Sequence, residues 1–440
     1  MHPQHHPETG SRADRGLAMN TAALPQARFA ALKSRNFTLI WSGLIVSNIG
    51  TWMQNVAQGW LILKLTDSPL WLGLFGLSFA LPMIILPLVG GTLADRVNRL
   101  KLLYFTQTLM MLNAFILAAL VWTGVINIWH LMIASLINGA LLAFDNPTRQ
   151  ALIPDLVPKQ DLLNALSLNA ATYNGAALAG PAIAGALLGP LGVGALFFIN
   201  GISYLAVLLA LFGMRDVPTH TGGTHTSVGE SMVSGLAYAW RTRLVLLLLV
   251  LSGLAAVFGR SYQNLLPIFA GDIWNAGPEG YGLLLSAAGL GAMLGAVGLA
   301  SITKLKRHGI VLVASGLLFG LSLAGFALAP SLPIGILLML IAGITSTVFG
   351  TMIAMFIQVI APREIRGRVM SLYAITLIGL PSLGAFGTGA LAQALGGPAG
   401  APKAVLIGAI VVCVVALAVT PIFWNRNQAG ANPETNRQPG

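Results

Sequence analysis

Twelve long apolar segments, separated by short polar breaks, occupy almost the whole chain after residue 36. Each is about 20 residues long, the length that a helix needs to cross ~30 Å of hydrocarbon. A membrane-spanning strand would be about half as long and would alternate polar with apolar residues, which these segments do not do. Their approximate ranges are 38–63, 70–93, 101–123, 128–147, 164–189, 192–213, 243–270, 280–302, 309–329, 332–358, 369–394 and 403–424. The pattern predicts an all-α membrane protein with twelve transmembrane helices.

Charged residues are too scarce for a water-soluble protein and lie mainly in the breaks. They make up 8% of the 440 residues, against about 25% in soluble domains. Twenty-one of the 24 Lys and Arg residues fall in the tails and breaks on the side of the N-terminus, whereas only Lys64 and Lys403 fall on the opposite side. This asymmetry predicts that both termini are cytoplasmic. The net charge of +11 is therefore explained by topology, and nucleic-acid binding is excluded.

The segments divide six and six around a Gly- and Thr-rich break, which we interpret as a linker. Its second part, "SMVSGLAYAWRTR", is predicted to form an amphipathic helix. The predicted domains are a tail (1–36), a six-helix half (37–214), the linker (215–242), a second six-helix half (243–425) and a tail (426–440).

Two weak internal repeats indicate that the halves are related. The break at 156–169 aligns with that at 360–373 at an offset of 204 residues, and the Pro-x-x-x-Gly pair at 69–73 matches the one at 278–282. A parallel duplication into two pseudo-symmetric halves, with a binding site between them, is typical of transporters that work by rocking.

Three motifs connect the chain to a known family. The stretch "GTLADRVNRLK" (91–101) resembles the G-x-x-x-D-R-x-G-R-[RK] signature of the major facilitator superfamily. The stretches "NPTRQALIPDLVP" (146–158) and "APREIRGRVMSLY" (361–373) are similar to the enterobactin-exporter and macrolide-exporter group of bacterial drug:proton antiporters. The resemblance implies the major facilitator fold and the export of a small organic solute by proton antiport with alternating access. It also implies residence in the lipid bilayer of the bacterial cytoplasmic membrane, without a cofactor. We expect a monomer.

The first motif predicts a conformational latch on the cytoplasmic side. The Asp95 carboxylate is suited to the N-terminus of segment 11, whose free N–H groups favour negative charge. Such a contact would hold the cytoplasmic side closed and would break when that side opens. For the cations, an alternative role in enforcing topology alone stays open. At Asn98, where the family has Gly, we expect a left-handed backbone. The predicted latch residues are Gly91, Asp95, Arg96, Arg99, Arg366 and Arg368.

Segment 5 contains "NGAALAGPAIAG" (174–185), which resembles the Gly-Pro motif of family antiporters. Pro181 removes a backbone hydrogen bond, and Gly180 and Gly185 allow a neighbouring helix to come close. We predict a helix bend here. The alternative interpretation is an ordinary packing kink, and a functional bend would have the same backbone geometry.

Polar residues inside the segments are the candidates for a substrate pathway. Arg260 lies about 24 Å along segment 7. It either faces a wet cavity, which Gln263 and Asn264 on the same helix face favour, or extends to the outer headgroups. Other pathway candidates are Asn48, Thr51, Asn55 and Gln58 in segment 1, Asn138 in segment 4 and Tyr373 in segment 11.

Asp145 has two open interpretations: a proton-carrying carboxylate, or a structural residue that caps a helix or pairs with Arg149. The sequence has no G-x-x-x-x-G-K-[ST] loop and no cluster of metal ligands in the segments, so neither an ATP-driven pump, an enzyme nor a metal site is predicted. The alternatives to an exporter are a lipid translocator of the same fold and, less favoured, a membrane scaffold without transport.

Overall fold

The computed structural model describes residues 29–94, 98–215, 217, 228–302 and 307–422, without the side chains of 87–94, 228–233 and 378. This part of the chain is helical throughout, with short connections. The α-helices are α1 (Arg35–Thr66), α2 (Pro69–Ala94), α3 (Arg99–Trp122), α4 (Ile128–Leu156), α5 (Leu162–Gly213), α6 (Val228–Arg241), α7 (Arg243–Leu254), α8 (Leu266–Ile268), α9 (Gly277–Ser301), α10 (His308–Ala327), α11 (Leu332–Ile360), α12 (Arg363–Ile378), α13 (Leu380–Ala394) and α14 (Ala401–Ala418).

Ten segments of the described chain are long and apolar enough to cross a membrane. One of them, Lys159–Gly213, has 55 residues, which is long enough for two crossings, and Gly192 interrupts it with a positive φ of 77° that glycine tolerates. Helix α1 is also long enough, at 32 residues, but its amide side chains make it less apolar. The predicted helix in the second part of the linker is confirmed as α6.

The backbone at Asn98 differs from the prediction. Its φ is −59°, so it is not left-handed. Its side chain instead accepts hydrogen bonds from the backbone N–H groups of Leu100 and Lys101, at 3.0 and 3.2 Å. Asn98 is therefore the N-cap of α3, and it occupies the glycine position of the motif because it satisfies two free donors of the helix end.

Helices α1–α5 pack against one another, as do helices α7–α14. We call these sets the N-terminal and C-terminal helices. They meet at the end of the bundle where α1 ends and α2 begins, which we call the distal end. There α2 crosses α13 and α5 crosses α9.

Both crossings depend on small residues that let backbones approach closely. A Cβ atom added to Gly282 of α9 would lie 2.4 Å from the carbonyl oxygen of Pro181 in α5. A Cβ atom added to Gly389 of α13 would lie 2.5 Å from the carbonyl oxygen of Pro69 in α2. A bulkier side chain at either glycine would separate the N-terminal from the C-terminal helices at the distal end.

Candidate functional site

The seventh apolar segment is a broken helix, Arg243–Ile273, in which α-helical, π-helical and 3₁₀ turns alternate. After α7, a π-helical turn spans Ala255–Gly259, and a 3₁₀ turn then spans Ser261–Leu265. Pro267 has no N–H group to continue a regular α-helical ladder through these turns. Arg260 lies at the junction of the two turns, and its side chain is exposed.

Arg260 lines a cavity of about 300 Å³ between the N-terminal and C-terminal helices, which we call the central cavity. The structure brings six of the predicted pathway residues to its wall. They are Asn55 and Gln58 of α1, Asn138 of α4, and Arg260, Gln263 and Asn264 of the broken helix. The wall also includes the aromatic residues Trp52, Phe75, Phe79 and Tyr281 and the serines Ser135 and Ser382, so the cavity combines amides, hydroxyls and one cation with apolar surfaces.

Gln58 is only 2% exposed, and its Nε2 atom has no hydrogen-bond partner among the residues that the structure describes. A buried N–H group without a partner is unfavourable by about 1–3 kcal/mol, so structures rarely retain one without a reason. Because Gln58 lines the central cavity, a hydrogen-bond acceptor bound there is the natural partner for this group.

A second cavity of about 290 Å³ lies within the C-terminal helices, and Arg260 belongs to its wall as well. We call it the hydroxyl pocket, because Ser252, Ser346, Thr347, Thr351 and Tyr373 line it. Sequence reasoning identified Tyr373 but not the serines and threonines, because single hydroxyl residues in apolar helices carry no distinctive spacing.

No acidic residue of the described chain lines either cavity. The ion pairs among the described residues are Arg99–Asp155 and Arg149–Asp145, and neither involves Arg260. The wall shared by the two cavities therefore carries an uncompensated positive charge, which attracts anionic or electron-rich oxygen groups.

Two of the polar residues predicted for the pathway on α1 do not reach these walls. The hydroxyl of Thr51 donates to the carbonyl oxygen of Ser47 and lies 3.4 Å from the hydroxyl of Tyr204 in α5. Asn48 is partly buried and lines neither cavity. Sequence reasoning missed Gln54, whose Oε1 accepts a 2.7 Å hydrogen bond from Asn200, because it lies off the predicted stripe. This face of α1 holds α5 in place.

Asp145 is fully buried between α3 and α4, outside both cavities. Its Oδ1 accepts hydrogen bonds from Thr106 and Gln107, both at 2.8 Å. Its Oδ2 lies 3.0 Å from the guanidinium of Arg149, one turn along the same helix. Helix α4 is continuous through this point, so Asp145 does not cap a new helix.

The family model that describes the transmembrane secretion effectors of the major facilitator superfamily matches residues 26–436. The chain belongs to this family of transporters.

Curated relatives and solved structures agree with that assignment. The chain is 25% identical to the enterobactin exporter of Shigella boydii over 391 residues, which cover 87% of this chain and 91% of that protein. It is 26% identical to the staphyloferrin A transporter of Staphylococcus aureus over 282 residues, 63% and 70% of the two chains. It also shares its fold with a bacterial homologue of the human lysosomal transporter Spinster, solved inward-facing and unoccupied. That likeness has a TM-score of 0.67 at 17% identity and covers 90% and 97% of the chains. The protein is thus a multi-span membrane transporter and not an enzyme.

The predicted latch residues of this transporter are only partly visible. Asp95 and Arg96 lie outside the described residues, and Gly91 is in the last turn of α2. The structure does not bring the three remaining arginines together. Arg99 forms an ion pair of 2.5 Å with Asp155 at the end of α4. Arg366 donates to the carbonyl oxygen of Ala361, and Arg368 donates to the hydroxyl of Ser234 in α6.

The Gly-Pro motif of the transporter lies where α5 meets both α1 and α9. Gly180 packs against Trp52 of α1, and Gly185 lies against Pro278 and Gly282 of α9. The non-helical residue inside α5 is Gly192, so the backbone keeps helical dihedral angles through Pro181. The motif thus provides close packing at the distal end, whereas the break in α5 comes about three turns later.

Proposed function

We propose that this transporter exports a small organic solute, siderophore-like or drug-like, across the bacterial cytoplasmic membrane in exchange for protons. The observation that carries the proposal is Arg260, a cation with no ion pair among the described residues, on the wall of the central cavity between the N-terminal and C-terminal helices. An uncompensated cation beside amide donors suits a solute of acidic or polyhydroxyl character. Two relatives are named as transporters of siderophores, which supports a cargo of this kind.

We propose that the N-terminal and C-terminal helices are two six-helix halves related by duplication. Gly180 of α5 packs against α1, and Gly384 of α13 packs against Val257 in the broken helix. Gly185 and Gly389 make the two distal crossings. Each of these pairs is separated by 204 positions, the offset between the two aligned breaks in the sequence. The same close contacts therefore recur in both sets, as a duplicated transporter that rocks around a central site requires.

The topology follows from the distribution of Lys and Arg. We propose that both termini and the linker at 215–242 are cytoplasmic, with the halves at 37–214 and 243–425 and tails at 1–36 and 426–440. The distal end is then the outer side of the membrane. Its close crossings support an inward-facing state in which the outer side is closed.

Proton exchange is the proposed energy source, because the chain has no nucleotide-binding loop of its own and a proton gradient is available across a bacterial cytoplasmic membrane. The resemblance to drug:proton antiporters supports the same mechanism.

We further propose that Asp95 latches the cytoplasmic side in the opposite, outward-facing state. In the described structure, Arg366 and Arg368 contact Ala361 and Ser234. Closure would instead bring Asp95 of the N-terminal half to the start of α12. The variant Asp95→Asn is expected to favour the inward-facing state and to reduce transport at a normal membrane level. Single cysteines facing the central cavity should then react faster with a cytoplasmic thiol reagent; an unchanged rate would contradict the latch.

Flux into proteoliposomes under an imposed pH gradient tests the proposed function. An exporter accumulates an aromatic acid such as 2,5-dihydroxybenzoate when the gradient is present and not when it is collapsed. A lipid translocator would instead flip a fluorescent lysophospholipid, and a scaffold would move neither probe. Gradient-independent equilibration of the acid would contradict proton exchange while retaining transport.

A further inference from the structure

We propose that the hydroxyl pocket is a second subsite for the cargo, which accepts hydrogen bonds from donor groups of the solute while Arg260 holds its acidic group. The inference rests on the proposed function and specifies its substrate class. Arg260 is on the wall of both cavities, so a solute bound to its guanidinium lies at the entrance of the hydroxyl pocket.

Four of the five hydroxyl groups of this pocket, all except that of Thr347, are already used as donors within the protein. Ser346 donates to the carbonyl oxygen of Gly343 at 3.1 Å, and Thr351 donates to that of Thr347 at 2.8 Å. Tyr373 of α12 donates to the carbonyl oxygen of Gly350 at 2.8 Å, which ties α12 to α11.

Ser252 also uses its hydroxyl proton as a donor, but to a side chain and not to a backbone carbonyl. Its oxygen lies 2.7 Å from that of Thr376, and Thr376 donates its own proton to the carbonyl oxygen of Tyr373. The proton between the two hydroxyls therefore comes from Ser252. Four pocket hydroxyls thus have their protons engaged and keep lone pairs that accept hydrogen bonds.

The two cavities consequently differ in hydrogen-bonding chemistry. The central cavity presents the Arg260 guanidinium and the Nε2 of Gln58 beside amides that both donate and accept, whereas four hydroxyls of the hydroxyl pocket present acceptors. A volume of about 290 Å³ accommodates a substituted aromatic ring, since a cavity of about 150 Å³ already holds benzene. The geometry points to a hydroxy acid, a compact solute that carries a carboxylate together with hydroxyl or N–H donors.

Two probes separate the subsites. The first, 2,5-dihydroxybenzoate, has an acid, a free hydroxyl donor at position 5 and a second hydroxyl that donates to its own carboxylate. The second, 2,5-dimethoxybenzoate, has a carboxylate and no hydroxyl donor. Equilibrium binding to the purified full-length protein is measured by titration calorimetry. The wild type is expected to bind the dihydroxy acid at least tenfold more tightly. The double variant Ser346→Ala/Thr351→Val should reduce this preference at least fivefold and leave binding of the dimethoxy acid within twofold.

Thr345→Val is the matched control, because Thr345 lies on the same helix, donates to its own backbone and does not line the pocket. It should bind both probes as the wild type does. Arg260→Gln should weaken both probes equally. If it does so while the double variant keeps the wild-type preference, the hydroxyl-pocket proposal is wrong and the acid site stands. If the wild type binds neither probe, or Arg260→Gln weakens neither, the acid site is refuted and the pocket proposal with it.

Discussion

Two arginines of this transporter lie in contrasting surroundings. Arg149 on α4 is paired with the fully buried Asp145 and also donates to the side chain of Asn146 at 2.7 Å. Arg260 on the broken helix has no ion pair among the described residues and lines two cavities. The first arginine belongs to a buried ion-paired cluster between α3 and α4, in which Asp145 Oδ2 and Gln107 Oε1 accept no hydrogen bond from the described residues. The second arginine lines two cavities and has no ion pair among the described residues.

The contrast separates a structural charge from a functional one. A buried charge that is paired within its own protein holds helices together, and its counter-ion leaves little net charge for a ligand to bind. An exposed cation that lines a cavity and has no partner among the described residues keeps its donors free for an anionic solute. We therefore propose that Arg260 binds the cargo and that Asp145 holds α3 and α4 together.

The largest effect is expected from breaking the paired cluster. Asp145→Asn removes the charge that compensates Arg149, and breaking such a buried pair lowers the free energy of unfolding by about 3–5 kcal/mol. Thermal unfolding in detergent measures the loss, and the double variant Asp145→Asn/Arg149→Met should recover part of it. An Asp145→Asn protein with unchanged stability and no response to a pH gradient would instead identify Asp145 as a proton carrier.

A smaller effect is expected from giving Arg260 a partner. Asn55 lines the same central cavity from α1, so Asn55→Asp adds a carboxylate that competes with the cargo for the guanidinium. Binding of 2,5-dihydroxybenzoate should weaken about tenfold, which corresponds to about 1.4 kcal/mol. Asn55→Ser is the neutral control and should change binding less than threefold. Equal weakening by both substitutions would show that the added charge is not sensed by Arg260.

The smallest effect concerns the unpartnered amide of Gln58. Gln58→Met keeps the length of the side chain and removes an N–H group that has no partner in the empty protein. The free energy of unfolding should stay equal or rise by up to about 1 kcal/mol, while affinity for the acid probe falls a few-fold. Gln54→Met is the matched comparison, because Gln54 accepts a hydrogen bond from Asn200 and its loss should destabilise the fold. A destabilised Gln58→Met protein with normal affinity would contradict a ligand-binding role.

Sequence periodicity predicted the membrane helices because each must bury about 20 apolar residues in lipid, which leaves a strong and local signal. It also predicted that Arg260, Gln263 and Asn264 share a wall, since residues three and four apart face the same side of a helix. It did not predict that the helix itself is broken at Arg260.

Other features depend on contacts between helices and left no local signal. The partners of Asp145 on α3, Thr106 and Gln107, lie about 40 residues away in sequence. The hydroxyl pocket is assembled from α7, α11 and α12, and none of its serines or threonines is unusual within its own helix. Asparagine is common both in left-handed backbone conformations and at helix N-caps, and the sequence at position 98 does not distinguish the two. Asn98 is an N-cap because its side chain accepts hydrogen bonds from two free N–H groups of α3.

Transport of an acid and of its neutral ester by Arg260 variants shows whether Arg260 binds the acidic group of the cargo. Everted membrane vesicles that contain equal amounts of the wild type, Arg260→Lys or Arg260→Gln are energised with a pH gradient, and accumulation of labelled 2,5-dihydroxybenzoate and its methyl ester is measured. We predict that Arg260→Lys retains part of the acid transport, that Arg260→Gln loses at least tenfold, and that slow movement of the ester is the same in all three. Acid transport by Arg260→Gln at the wild-type rate would show that Arg260 does not bind the acidic cargo. Arg260 would then be a cation that extends to the lipid headgroups.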